Sequence, residues 1–166
     1  ILVGEPTNPG FIGEMAKIGR RGSLNAKLTV NGRQGHVGYP HLADNPMAKI
    51  IRILHALQSH RLDEGMEFFS PSNLEVVSID VGNPSDNVIP PQATARFNIR
   101  FNPLHQGEAL IAWLHQTCKS HSADYLLQTR ISGEAFLSPP GGLSALVTES
   151  IREVTGHMPA LSTTGG

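Results

Sequence analysis

The chain has 166 residues, of which 39% are hydrophobic and 16% are charged, and its formal net charge at pH 7 is −1. This composition excludes a disordered chain, and the near-neutral charge argues against nucleic acid as a partner. The one cysteine, Cys118, excludes an internal disulfide, and no apolar stretch reaches the roughly 20 residues that span a bilayer, so we expect a cytoplasmic protein without membrane contact.

The first half of the chain alternates like a strand and then repeats like a helix. In residues 23–30, apolar and polar residues alternate with period two, which predicts a half-buried strand. Asn45 and Pro46 are a favourable N-cap and first helical residue, and apolar residues follow at helical spacing, so a helix is predicted to about His60. A glycine-containing loop, which we expect to be mobile, follows this helix.

Three more strands and a helix are predicted in the second half. Strands are predicted at 73–82, 93–101 and 124–132 from β-branched content and alternation, and the apolar residues of 110–118 have helical spacing. The resulting order, β-α-β-β-α-β, is typical of a ferredoxin-like α+β fold. We expect sheet order 4-1-3-2, which leaves two free edges.

Both ends of the chain are predicted to belong to a second domain of α/β type. Residues 1–7 resemble the end of a buried parallel strand, and residues 142–156 have the spacing of another helix. We therefore assign 1–21 to the end of a first catalytic-domain segment, 22–135 to an inserted lid, and 136–166 to the truncated start of a second segment. We expect the chain to be a piece of a longer polypeptide.

Three parts of the sequence carry a family resemblance. They are VGEPT with KIGRRGSLNAKLTVNGRQGHVGYPHLADNP, SNLEVVSIDVGNPSDNVIPPQATARFNIRF, and TGHMPALSTTGG. Together they resemble the M20 family of zinc-dependent metallopeptidases and amidohydrolases over nearly the whole chain. GHxxYP and NVIP are shared across the lids of that family, whereas GRRGSL and TTGG point to the members that remove succinate from N-succinyl-LL-2,6-diaminopimelate. The resemblance implies a catalytic domain with two zinc ions per subunit and a ferredoxin-like lid that forms a homodimer.

The implied reaction of the intact protein is hydrolysis of that amide to succinate and LL-2,6-diaminopimelate, in lysine and diaminopimelate biosynthesis. Of the zinc ligands known in the family, only Glu5, in GEPT, has a counterpart in this chain. A lone carboxylate cannot hold zinc, which needs three or four ligands. We therefore expect no tightly bound zinc and no hydrolase activity from these residues alone.

His36 lies in a turn, and its residue type alone leaves catalysis, metal binding and a plain turn role open. Amide hydrolysis passes through a tetrahedral intermediate, so a fixed hydrogen-bond donor beside the oxygen that becomes negative promotes the reaction. The resemblance implies this catalytic role for His36, because the histidine of GHxxYP reaches from one lid into the other subunit's active site. The other seven histidines show no ligand-like pairing and are expected at the surface.

The resemblance also implies residues that bind the substrate. The planar guanidinium of arginine suits a carboxylate, and Arg20 and Arg100 match positions that the family uses near its substrate. The other matching positions are Ser23, Tyr39, Asn87, Gly165 and Gly166. Most of these residues also have a plainer interpretation. The arginines could lie on an exposed strand or loop, Tyr39 could be a packed turn aromatic, Asn87 could cap a turn, and the glycines could be ordinary loop residues.

Two other functions remain open. Another M20 deacylase, such as an acetylornithine deacetylase or an aminoacylase, would keep the lid and the metals and change the acyl pocket. A non-catalytic ferredoxin-like interaction module is the second alternative, since fold alone does not specify function.

The partners we expect are a second copy of the chain and, for the intact protein, a small dicarboxylate amide. For the dimer we favour the edge strand at 73–82, whose β-branched content and lack of proline permit pairing with its copy.

Overall fold

A computed structural model describes residues 3, 4, 8 and 10–164 of the chain. The helices are α1 (Pro46–Ser59), α2 (Gly107–His121) and α3 (Gly142–Thr155), with a short 3-10 helix at Pro40–Leu42. The strands are β1 (Met15–Lys17), β2 (Gly19–Arg20), β3 (Gly22–Asn31), β4 (Gly35–His36), β5 (Asn73–Asp80), β6 (Val88–Ile89), β7 (Gln92–Phe101), β8 (Tyr125–Gly133), β9 (Phe136–Leu137) and β10 (Ala160–Ser162). In this part of the chain, none of the helices combines the length and apolar content that a bilayer crossing requires.

Four strands form the main sheet, which is antiparallel and has the order β5-β7-β3-β8. Together with α1 and α2 they follow one another along the chain as β-α-β-β-α-β. The predicted ferredoxin-like α+β fold and the strand order 4-1-3-2 are therefore confirmed. Because β3 pairs with β7 along its whole length and with β8 over most of it, β3 is the centre of the sheet.

One face of the main sheet is apolar and packs against α1 and α2. Along β3, every second side chain from Leu24 to Val30 is buried on this face, and Leu24, Leu28 and Val30 are fully buried. Phe97 and Leu114 come from a neighbouring strand and from α2 and join the same core. Burying side chains of this size contributes roughly 1.5–3 kcal/mol each, so this core is the main source of stability. The opposite face of the sheet carries polar side chains and has no helix over it in the described residues.

The helix ends follow the signals in the sequence. Asn45 precedes α1, and its Oδ1 accepts a hydrogen bond from the Met47 backbone N–H at 3.0 Å. Pro46 is the first helical residue, where its missing N–H costs nothing. Gly156 follows α3 with φ +76°, the left-handed conformation that glycine adopts freely. The predicted start of α1 and end of α3 are therefore confirmed.

Two short ribbons lie where the chain enters and leaves the main sheet. β1 pairs in parallel with β10, and β2 pairs antiparallel with β9. The chain before β3 therefore lies beside the chain after β8. Most of the strand predicted at residues 1–7 lies outside the described residues.

The loop between α1 and β5, which was expected to be mobile, is fastened by a buried carboxylate. Asp63 accepts hydrogen bonds from the backbone N–H groups of Gly65 and Ser72 and from Nδ2 of Asn102, with donor–acceptor distances of 2.6, 3.2 and 2.7 Å. Nε2 of His105 lies 2.9 Å from Oδ2 of the same carboxylate. The side chain of His105 is only 21% exposed, so the expectation of a surface histidine is wrong here. A buried carboxylate needs such partners, because leaving it unpaired is costly.

Candidate functional site

His36 is presented by residues 32–46, which we call the histidine loop. The loop follows β3, and its strand β4 places His36 opposite Val88 of β6. Arg33 and Asp44 exchange two backbone hydrogen bonds of 2.9 Å, which close the base of the loop. The loop therefore holds His36 on a constrained backbone rather than on a free turn.

Two glycines allow the histidine loop to fold this tightly. A Cβ at Gly32 would lie 2.2 Å from the carbonyl oxygen of Asp44, and one at Gly35 would lie 2.7 Å from Cβ of Ala43. Atoms cannot approach this closely, so any other residue at Gly32 would force the backbone apart. The glycines of NGRQGH are thus required by close packing at the base of the loop.

The hydrogen bonds of His36 indicate which ring nitrogen carries the proton. The backbone N–H of Gly38 donates to Nδ1 of His36 at 3.0 Å. A nitrogen that accepts a hydrogen bond is unprotonated, so the neutral ring carries its proton on Nε2. The ring is exposed and lies beside Tyr39, with ring centroids 5.8 Å apart. His36 therefore offers an N–H donor to a ligand from a fixed position.

Asn87 lies next to the histidine loop. Its carbonyl oxygen accepts a hydrogen bond of 3.0 Å from the backbone N–H of Val37. The turn that precedes it is closed by Asn83, whose Nδ2 donates to the carbonyl of Val88 at 2.9 Å and whose Oδ1 accepts from the N–H of Ser85 at 3.3 Å. Three predicted site residues, His36, Tyr39 and Asn87, are thus brought together.

The other described site residues form a row across one end of the main sheet, which we call the arginine row. Ser23 on β3 lies opposite Arg100 on β7 and opposite Gly133 on β8. Nη2 of Arg20 lies 3.6 Å from the point where a Cβ on Gly133 would be. Both arginines are exposed, whereas Ser23 is 3% exposed and its Oγ accepts from Nδ2 of Asn98 at 3.2 Å. A solute that reaches this row therefore meets the two guanidinium groups first.

The histidine loop and the arginine row lie at opposite ends of β3. Ser23 is the second residue of this ten-residue strand, and the histidine loop begins after its last residue, Asn31. At about 3.4 Å per residue, the two ends of the strand are about 30 Å apart. One small molecule cannot touch both groups of residues in the same protomer. A site that uses both must therefore combine two protomers.

The predicted metal ligand and the two terminal glycines, Glu5, Gly165 and Gly166, lie outside the described residues. Among residues 3, 4, 8 and 10–164, no three His, Cys, Asp or Glu side chains come together as a metal site. The described residues therefore do not fit a zinc centre, and no metal chemistry is assigned to them.

Two features were not foreseen from the sequence. One is the hydrogen-bonded cluster around Asp63, and the other is a groove on the open sheet face that contains Lys27, Arg96 and Arg130. Alternation along each strand marks these three cations as outward-facing. Which of them are neighbours depends on strand register, and the sequence of a single strand does not contain that information.

Comparison with known proteins gives consistent matches. A family model described as a peptidase dimerisation domain matches residues 18–126. The succinyl-diaminopimelate desuccinylase of Granulibacter bethesdensis is 55% identical over 174 residues, which cover 99% of this chain and 45% of that protein. The enzyme of the same name from Parvibaculum lavamentivorans is 52% identical over 169 residues, which cover 99% and 43%. The chain thus spans less than half the length of these curated relatives.

Solved structures share the architecture at much lower identity. The aminopeptidase PepT from Bacillus cereus matches with a TM-score of 0.75 and 14% identity, over 93% of this chain and 41% of that one. The M20 family metallo-carboxypeptidase Sso-CP2 from Sulfolobus solfataricus matches with a TM-score of 0.71 and 14% identity, over 89% and 46%. At this identity the likeness establishes the fold alone.

Proposed function

Because the chain belongs to the M20 peptidase dimerisation family, we propose that residues 22–135 are the lid and dimerisation domain of an M20 amidohydrolase. Residues 1–21 and 136–166 are then parts of its catalytic domain. The intact protein hydrolyses N-succinyl-LL-2,6-diaminopimelate to succinate and LL-2,6-diaminopimelate, a cytoplasmic step in diaminopimelate and lysine biosynthesis. The support for this substrate is identity of 52–55% to desuccinylases along 99% of the chain.

We propose that the intact protein holds two zinc ions per subunit and that Glu5 is the ligand contributed by this chain. A similar solved structure is described as a metallo-carboxypeptidase, which supports a metal cofactor. Zinc sites need three or four ligands, so the remaining ligands would lie outside this sequence. The role of the described residues is therefore to bind, orient and donate hydrogen bonds.

The observation that supports His36 in catalysis is the hydrogen bond from the Gly38 N–H to its Nδ1. With Nδ1 as the acceptor of this bond, Nε2–H is the donor that the ring offers to a ligand. When the amide carbon becomes tetrahedral, its oxygen gains negative charge, and a donor already held in position stabilises that charge without reorganisation. The closed base of the histidine loop supplies this fixed position.

We propose that each active site combines residues of two subunits. The histidine loop, with His36, Tyr39 and Asn87, comes from one subunit. The arginine row, with Arg20, Ser23 and Arg100, comes from the other, together with Gly165 and Gly166. The support is the distance between the two groups, which lie about 30 Å apart along β3. The extended substrate is only roughly 15 Å long, so it cannot reach from one group to the other within one subunit. The guanidinium groups of the row suit the carboxylates of the substrate.

We propose that the homodimer forms along the edge strand β5. Val77 and Ile79 on this strand are 66% and 52% exposed, and Ile51 on the neighbouring helix α1 is 56% exposed. An edge strand with unpaired backbone groups and exposed apolar side chains favours pairing with a second copy. The dimerisation domain of the matched family supports self-association through this part of the chain.

The proposed reaction is tested by product analysis on the complete protein. We expect release of succinate from N-succinyl-LL-2,6-diaminopimelate with kcat/KM about 100-fold or more above that for N-acetylornithine and N-acetyl amino acids, because a site built for a carboxylate is left unpaired by an acetyl group. Faster hydrolysis of an acetylated substrate would indicate another M20 deacylase. No hydrolysis of any of these amides would favour a non-catalytic module.

A further inference from the structure

The open face of the main sheet contains a groove of about 640 Å³, and among its lining residues only Val77, at the proposed dimer edge, has a role above. It runs across β5, β7, β3 and β8, and its volume is within the range of small-molecule sites. Three cationic side chains line it, one from each of the strands β3, β7 and β8. They are Lys27, Arg96 and Arg130.

Two of the three cations in this groove, Lys27 and Arg130, have no ion-pair partner among the residues that the structure describes. Lys27 lies directly opposite Arg96 in the pairing of β3 with β7, and like charges in this position destabilise a sheet. Among the residues that the structure describes, Lys27 and Arg130 form no ion pair, and Arg96 has one long contact, 3.9 Å, to Asp80. Arg96 also donates from Nε to Oγ of Ser78 at 3.1 Å, so the uncompensated charge of the groove comes from Lys27 and Arg130.

The floor of the groove is held by amide side chains. Nδ2 of Asn98 lies 3.2 Å from Oγ of Ser23, 3.1 Å from the carbonyl oxygen of Leu24 and 3.0 Å from Oδ1 of Asn25, and these three acceptors share its two N–H groups. Nδ2 of Asn25 donates to Oγ of Ser132 at 2.9 Å. These bonds tie N–H groups of both amides into the sheet, and Lys27, Arg96 and Arg130 are the charged groups that the groove offers to a solute.

The groove is continuous with the arginine row. Asn98 precedes Arg100 by two residues on the same face of β7, a distance of about 7 Å along the strand. Asn98 is also bonded to Ser23, which belongs to the row. An anion bound beside Asn98 is therefore about two residues along the strand, about 7 Å, from the Arg100 position proposed to bind substrate.

We propose that this groove is the surface by which a polycarboxylate substrate approaches the active site. The inference rests on the proposed function, whose substrate has three carboxylates and one ammonium group and so a net charge of about −2 at neutral pH. A concave surface of one charge sign concentrates ligands of the opposite sign and speeds their association, and salt weakens this effect. Lys27, Arg96 and Arg130 attract the substrate, and Arg20 and Arg100 then bind it.

The test compares two charge-matched double variants of the complete protein. Lys27→Gln/Arg130→Gln removes two cations from the groove, and Arg52→Gln/Lys119→Gln removes two exposed cations from α1 and α2 on the other side of the sheet. At about 20 mM salt, we expect the groove variant to lose about tenfold in kcat/KM with unchanged kcat, and at about 500 mM salt we expect the loss to shrink to within about twofold. The control variant should match the wild type at both salt concentrations.

Direct titration with succinate separates this inference from the proposed reaction. In the complete protein, we expect succinate to shift the NMR signals of the side-chain amides of Asn25, Asn98 and Gln128, and the groove variant to lose these shifts. Any one of three results would overturn the inference. They are a wild-type kcat/KM for the groove variant at low salt, a loss of kcat/KM that persists at high salt, and the absence of shifts on addition of succinate. A wild-type protein that shows the shifts but does not hydrolyse the succinyl substrate would overturn the proposed function and leave the groove as an anion-binding surface.

Discussion

Asp63 is the buried carboxylate around which the loop between α1 and β5 is built. Burial alone raises the pKa of this carboxyl, but hydrogen bonds from Ser72, Gly65 and Asn102 outweigh burial and lower the pKa from 3.8 to about 2. Because the pKa is lower in the folded state, Asp63 stabilises the fold above about pH 3.8, and this contribution is lost as the pH falls through 2. A shift of this size corresponds to about 2 kcal/mol for a side chain that is 7% exposed.

Asp63→Asn tests this contribution. We expect it to lower the free energy of unfolding at pH 7 by about 2 kcal/mol or more, because the amide is uncharged and brings a donor into a site built from donors. Glu64→Gln is a matched control, since Glu64 is the adjacent acid and its side chain is 70% exposed. Urea denaturation between pH 3 and pH 7 measures both. Parallel stability curves for Asp63→Asn and the wild type would contradict the assignment.

At the scale of the element, β5 has an irregularity that the predicted smooth strand lacks. Val76 pairs with Phe97 and Ser78 with Arg96, so Val77 has no partner on β7 and forms a bulge. A bulge bends an edge strand and increases its twist. The edge that we propose for the dimer is therefore interrupted near its middle, and Val77 is the residue at which a substitution spares the ladder with β7.

Val77→Pro tests whether β5 forms the interface. Since Val77 has no paired residue on β7, proline at this position displaces no cross-strand pair, while it fixes φ and removes one backbone N–H from the edge strand. We expect light scattering to give a dimer for the wild-type chain in the presence of a chelator and a monomer of about 17.9 kDa for the variant. Val77→Thr keeps the branched shape and the N–H and should remain dimeric. A dimer with Val77→Pro that retains its circular dichroism spectrum would indicate the β8 edge instead.

At the scale of the whole molecule, the separation of the histidine loop from the arginine row predicts activity between subunits. In the intact protein, we expect His36→Ala to lower kcat by roughly 10²–10³, the usual loss for one donor to a developing oxyanion. Glu5→Ala should inactivate its own subunit through the proposed loss of a metal ligand. When the two variants exchange subunits, each mixed dimer has one site with both residues intact, so about a quarter of the wild-type activity returns after equal mixing.

The control for this experiment is the activity of each variant before mixing, with subunit exchange followed by mass spectrometry. If His36 acted within its own subunit, every site in the mixed dimer would contain a defect. Complete exchange with no gain in activity would therefore contradict a site shared between subunits.

Local sequence patterns were sufficient to predict the elements of the main sheet and the face that each of them buries. The alternation of residues 23–30 and the helical spacing after Pro46 are local patterns, and the strand β3 and helix α1 follow them within one or two residues. The helix cap at Asn45 is also local, because the capping atom and its partner are two residues apart. The GHxxYP motif likewise directed attention to His36, although not to the ring nitrogen that carries its proton.

The tertiary structure alone decided which distant residues meet. Asp63 and His105 are 42 positions apart, and Lys27 faces Arg96 only because β3 and β7 pair in one particular register. The distance between His36 and the arginine row depends in the same way on β3 being an extended strand of ten residues. Local periodicity indicates which face of a segment is apolar. The partners of its polar groups depend on how distant segments pair, because the hydrogen bonds and charges of those segments must be satisfied together.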